Sequence, residues 1–147
     1  EQKKESIRVG VNGRLDSIQC AVLLSKLGIF EEEIAARRAF AAKYRAKLNG
    51  KVRMQAERAG VLSAYGLFTV VVENRDRVQE ALKAKGVPTS IYYSMPLHRH
   101  AAFAAHAPAG GMPNAEYLSD RVLSLPFHPY LDDEQIDHVC SALIGAV

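Results

Sequence analysis

The stretch Tyr65-Gly66-Leu67-Phe68-Thr69-Val70-Val71-Val72 carries no charge and closes on three valines. A run of this kind suits a strand that is well covered by the rest of the fold. Asn74 stands where it can cap the helix that follows, which carries Val78, Ala81 and Leu82 and stops at Gly86 with Pro88 beyond. Thr89-Ser90-Ile91-Tyr92 then reads as a second strand. A strand–helix–strand unit is an element of an α/β layer.

Other helices flank it. Asp16 and Gln19 form a capping box ahead of the apolar positions Ile18, Ala21, Val22, Leu24 and Leu27, and Gly28 reads as the stop. A longer helix is predicted over 30–48, ending at Asn49-Gly50. Its Ile34, Ala41 and Leu48 keep one side apolar, while Arg37, Arg38, Lys43, Arg45 and Lys47 make a solvated face. Residues 51–62 read as a connector. After Tyr93 come Pro96, a short Ala-rich helix over 101–105 and the loop "PAGGMP". Pro113 then stands at the first position of a helix running to about 121. Val122-Leu123-Ser124-Leu125 is a short strand, "PFHPY" a rigid loop, and Asp132 with Gln135 repeats the capping box before Ile136, Val139, Cys140, Leu143 and Ile144. The fold class is therefore α/β, with an α+β small domain. Its small sheet is flanked by helices from about residue 51 onward, and a helical strut precedes it.

Composition narrows the function classes. A net charge of +3 without tryptophan gives neither the basic face nor the stacking platform of a nucleic-acid binder. No apolar run reaches a membrane span of ~18 residues, so no membrane partner is expected. Cys20 and Cys140 fall on apolar helix faces and read as buried free thiols, consistent with a reducing, cytoplasmic setting. The chain opens Glu1-Gln2-Lys3-Lys4-Glu5 without an initiator methionine, and the expectation is a segment trimmed or cut from something longer.

Two clusters carry candidate chemistry. In "VGVNGRLD", Gly10 and Gly13 let the backbone approach a ligand closely. Asn12 offers an amide, Arg14 a planar fork for a carboxylate or phosphate, and a helix start follows. The bland alternative is a helix-entry turn with an exposed arginine. In "SIYYSMPLHRH", Tyr92, Tyr93, His98, Arg99 and His100 crowd the end of a strand, where α/β proteins place ligand contacts. The alternative for the tyrosines is one ring in the core and one at the surface, by strand alternation. No acidic or cysteine residue has ligand spacing to His98 and His100, so no metal is expected. His106, His128 and His138 show no partner pattern, and no nucleophile elbow, phosphate-binding loop or Cys-x-x-Cys occurs.

The motifs "GVNGRLDSIQCAVLLSKL", "PTSIYYSMPLH" and "VLSLPFHPYL" resemble the C-terminal part of the DegT/StrS-type nucleotide-sugar aminotransferases, of the aspartate aminotransferase fold. The resemblance covers essentially the whole chain. It implies pyridoxal 5′-phosphate as cofactor and a homodimer with shared active sites, in which Asn12 reaches the cofactor phosphate held by the partner subunit. It puts Arg14, Tyr92, Tyr93 and His98 on the substrate side. Cys20 stands where alanine is common, Tyr92 replaces a frequent histidine and Ser94 a frequent proline, which bears on the substrate contacts. The Schiff-base lysine of the family lies upstream of these motifs. No catalytic residue is therefore assigned here, and the segment alone is expected to be inactive. Residues 1–28 would be a remnant of the large pyridoxal-phosphate domain, 29–50 a connecting helix and 51–147 the small C-terminal domain.

The implied reaction transfers an amino group from glutamate to a keto nucleotide sugar. The motif combination is most like that of enzymes acting on 3-keto UDP-N-acetylglucosaminuronate, which serve bacterial O-antigen and lipopolysaccharide biosynthesis. A 4-keto hexose substrate is the rival within the class. A non-catalytic ligand-binding or dimerisation domain is the rival outside it.

Overall fold

The computed structural model describes residues 8, 10, 13 and 15–147, so Asn12 and Arg14 lie outside the described residues. Helix α1, Ser17–Leu27, is capped as expected: Asp16 accepts from the Gln19 amide at 2.8 Å, and the Gln19 side chain accepts from the Asp16 amide. None of its residues is buried, and Ile18 and Leu24 are 79% and 70% exposed. Gly28 is not the left-handed stop the sequence suggests; its φ is −64°. The chain stays right-handed there, the Ile29 amide donates to the Lys26 carbonyl, and α2, Phe30–Leu48, begins at once. At the far end of α2, Gly50 has φ +70°, a conformation glycine adopts without steric cost.

The sheet has three antiparallel strands in the order β1 (Arg53–Met54), β2 (Phe68–Val71) and β3 (Val122–Leu125). Strand β1 lies in the stretch read as a connector. The second strand expected over 89–92 shrinks to one bridge, in which Ser90 and Ser124 exchange backbone hydrogen bonds of 3.1 and 2.8 Å. Pro88 has no N–H to extend that pairing. Both β2 and Ser90 run antiparallel to β3. The strand–helix–strand unit is thus a crossover, through α3 (Arg75–Ala84), that leaves room for β3 between its arms. Asn74 does precede α3, with a left-handed backbone and no side-chain cap.

The core lies where α2, α3 and α5 (Asp133–Ile144) meet the sheet. Ala41, Tyr44 and Leu48 of α2, Val78 and Leu82 of α3, and Ile136, Val139, Cys140 and Leu143 of α5 are buried with Phe68, Val70, Leu123 and Leu125. Each fully buried leucine contributes about 1.5–3 kcal/mol relative to leaving it exposed. On the opposite sheet face, Thr69 and Ser124 join hydroxyls at 2.8 Å, and Val122 is left to face the loops after Tyr93.

Both cysteines are free. Cys140 is buried, and burial pushes its thiol up to about 11. Cys20, expected to be buried, is only partly covered, because α1 finds no packing partner for its apolar side among the described residues.

Candidate active site

The loops after Tyr93 enclose an open groove of about 540 Å³. Three short elements shape it: a 3₁₀ turn at Leu97–Arg99, a second at Ala101–His106, and helix α4, Pro113–Ser119, with proline in its first turn as expected. Met95, Leu97, Phe103, Met112 and Leu118 give it apolar walls, with Val122 of β3 at its base. Polar atoms enter from Tyr92, Tyr93, His98, His106 and Ser119. Such a surface suits the flat and apolar faces of an organic ligand, with few polar groups to orient it.

Tyr92 and Tyr93 do not split between core and surface. They are 44% and 73% exposed, with their rings 5.5 Å apart edge to face. The alternation fails because pairing beyond Ser90 ends, so the pleat that would turn one ring inward is absent.

His98 is largely enclosed in the wall, its side chain 14% exposed. Its Nε2 lies 2.9 Å from Glu116 Oε1, on α4. The Met112 amide donates to the same oxygen at 3.1 Å, and Arg99 reaches the other, Oε2. These donors, the Met112 amide first and His98 next, hold the Glu116 carboxyl below the usual carboxylate range. The Ser119 hydroxyl donates to the Glu116 carbonyl at 2.8 Å. Among the described residues no three His, Cys, Asp or Glu side chains are grouped to hold a metal ion.

Three of the five residues singled out in the sequence, Tyr92, Tyr93 and His98, thus share one groove. Asn12 and Arg14 lie outside the described residues. Sequence reasoning missed Glu116, which is eighteen positions from His98 and has no spacing pattern linking it to that residue. The available signal was its place in the first turn of a helix opened by Pro113.

Residues 1–144 match the model of the DegT/DnrJ/EryC1/StrS aminotransferase family. The chain belongs to this family. It is 42% identical over 144 residues to the UDP-2-acetamido-2-deoxy-3-oxo-D-glucuronate aminotransferase of Pseudomonas aeruginosa, across 97% of the chain and 40% of that protein. It is 35% identical over 145 residues to the dTDP-3-amino-3,4,6-trideoxy-alpha-D-glucose transaminase of Streptomyces venezuelae, across 97% of the chain and 38% of that enzyme. The fold superposes on the crystal structure of a DegT DnrJ EryC1 StrS aminotransferase from Brucella abortus with a TM-score of 0.85 and 40% identity. That match covers 99% of the chain and 39% of its counterpart. The chain therefore spans about 40% of the length of the relatives it matches.

The DegT/DnrJ/EryC1/StrS aminotransferases depend on pyridoxal 5′-phosphate. The groove by itself does not fit that group. No lysine lines it to anchor the cofactor. Among the described residues, what the groove offers is apolar walls for a ring face with a few hydroxyl and imidazole groups to orient it. No helix among them is long and apolar enough to cross a membrane.

Proposed function

We propose that this chain is the C-terminal part of a transaminase that moves the amino group of glutamate onto a 3-keto nucleotide sugar, 3-keto UDP-N-acetylglucosaminuronate. The single observation that carries the reading is the 42% identity over 144 residues with an aminotransferase named for that 3-oxo uronate. The ring position has a second support, since the Streptomyces relative is also named for a 3-amino sugar. The groove supports it by chemistry: apolar walls suit a sugar face, and the tyrosine hydroxyls and His98 suit its hydroxyls.

In this reading Tyr92, Tyr93 and His98 bind the sugar. Arg14 takes a substrate carboxylate, and Asn12 reaches the cofactor phosphate across a homodimer interface. Residues 1–28 belong to the large pyridoxal-phosphate domain, 29–50 link it to the small domain, and 51–147 form that domain. The Schiff-base lysine is assigned to the remainder of the protein, so residues 1–147 alone turn nothing over. The setting is cytoplasmic and the product enters bacterial surface polysaccharide, O-antigen or lipopolysaccharide.

The test is to incubate the full-length enzyme with pyridoxal phosphate and glutamate. It is then offered 3-keto UDP-N-acetylglucosaminuronate or a 4-keto hexose nucleotide while 2-oxoglutarate is measured. The uronate should react at least ten times more efficiently. Preference for the 4-keto sugar would overturn the ring position, and failure with both would favour a non-catalytic domain.

A further inference from the structure

We propose that Glu116 is a positioning residue: it holds His98 in the groove wall, in the space left open over Gly111. The proposal rests on the reading of this groove as the sugar side of a transaminase. Glu116 ties together three pieces of chain. Its own helix is α4; the Met112 amide belongs to the loop before it; His98 and Arg99 come from the 3₁₀ turn. Two backbone bonds close that turn, from the Arg99 amide to the Pro96 carbonyl and from the His100 amide to the Leu97 carbonyl. The Glu116 side chain is 28% exposed and that of His98 14%, so water competes weakly with their bond.

Gly111 leaves the space the carboxylate occupies. Its φ is +68°, and a Cβ placed there would come within 3.1 Å of Glu116 Oε1. A side chain at this position would press on the oxygen that receives His98. Glu116, held ionised by its donors, can only accept hydrogen bonds. His98 Nε2 must therefore carry a hydrogen. Glu116 thus sets both where the ring sits and which of its nitrogens is turned away from the carboxylate. Arg99 on Oε2 balances the carboxylate's charge.

The experiment uses the full-length holoenzyme with glutamate and 3-keto UDP-N-acetylglucosaminuronate. Glu116→Gln, His98→Gln, the double variant and Gly111→Ala are compared with wild type. Glu116→Gln and His98→Gln should each raise KM for the sugar about tenfold, the effect of losing a hydrogen bond to a charged group. KM for glutamate and the thermal midpoint should stay as in wild type. The double variant should be no worse than the larger single, because both remove one interaction. Gly111→Ala keeps the carboxylate but displaces it, and should raise the same KM; it carries the test if Glu116→Gln does not fold. Wild-type KM in Glu116→Gln, or a double variant multiplying to about 100-fold, would overturn the proposal. So would a fall in the glutamate half-reaction that tracks lost thermal stability. A wild-type enzyme that accepts the amino group of glutamate yet aminates no keto nucleotide sugar would overturn the underlying reading, and this proposal with it.

Discussion

Tyr44 and Phe68 stack with ring centroids 4.9 Å apart, and the Tyr44 hydroxyl donates to the Pro126 carbonyl at 3.0 Å. One residue of α2 thereby grips both the first residue of β2 and the loop after β3. Phe127 joins the cluster 5.9 Å from Phe68. Tyr44→Phe keeps the stacking and leaves a partly buried carbonyl without its donor, so it should cost about 1–2 kcal/mol. Tyr44→Ala also opens a cavity and should cost about 3–5 kcal/mol. Denaturant unfolding of the two variants checks the order; equal costs would contradict it.

Asp132 caps α5 by accepting from the Gln135 amide at 2.7 Å, and α5 supplies Ile136, Val139 and Leu143 to the core. Asp132→Ala should therefore lower stability by about 1 kcal/mol, whereas Asp132→Asn should cost less. Thermal melts of the two variants measure the difference.

Burial raises the Cys140 thiol from 9.0 to about 11, with Asp137 adding to burial and Lys47 opposing it. The folded state thus keeps its proton where the unfolded state loses it. The stability this provides is fully present below about pH 9 and is lost as pH rises through about 11. Tyr44, also raised by burial, adds a second loss that begins near pH 10.0 and continues to higher pH. The decline should be shallower in Cys140→Ala than in wild type between pH 9 and 11. The thiol should also resist alkylation at pH 8 until the protein unfolds. Parallel pH profiles for the two proteins would contradict this.

Asn12 is proposed to donate to the cofactor phosphate across the dimer interface. In the full-length enzyme Asn12→Ala should weaken pyridoxal-phosphate retention roughly tenfold, the loss of a hydrogen bond to a charged group, with dimer content unchanged. Equilibrium dialysis of the cofactor reads this directly.

Arg14 is proposed to hold a substrate carboxylate with its planar fork, a geometry lysine reproduces poorly. Arg14→Lys should lower kcat/KM by roughly 10–100-fold while cofactor content and thermal midpoint hold. Wild-type kinetics in this variant would assign Arg14 to the helix-entry turn instead.

The helices were legible because their signals are local. A capping box is written within four residues, and both boxes, at Asp16 and Asp132, form as read. Free thiols and the clustering of Tyr92, Tyr93 and His98 were legible too, the latter because neighbours in sequence share one loop. Strand β1 was not, since two residues hold no periodicity and Arg53–Met54 pairs only because β2 offers an edge.

By itself, then, the sequence determined the two capping boxes, the chain's family and the three groove residues that lie within one loop. Each of those rests on local hydrogen bonding or on a short contiguous motif. Only the tertiary structure decided that β3 inserts between β2 and Ser90, that both tyrosines face outward, and that Glu116 meets His98. Those contacts join residues far apart in the chain. They form because apolar helix faces must find cover and buried polar groups must find partners, and which ones meet depends on how the helices and strands pack together.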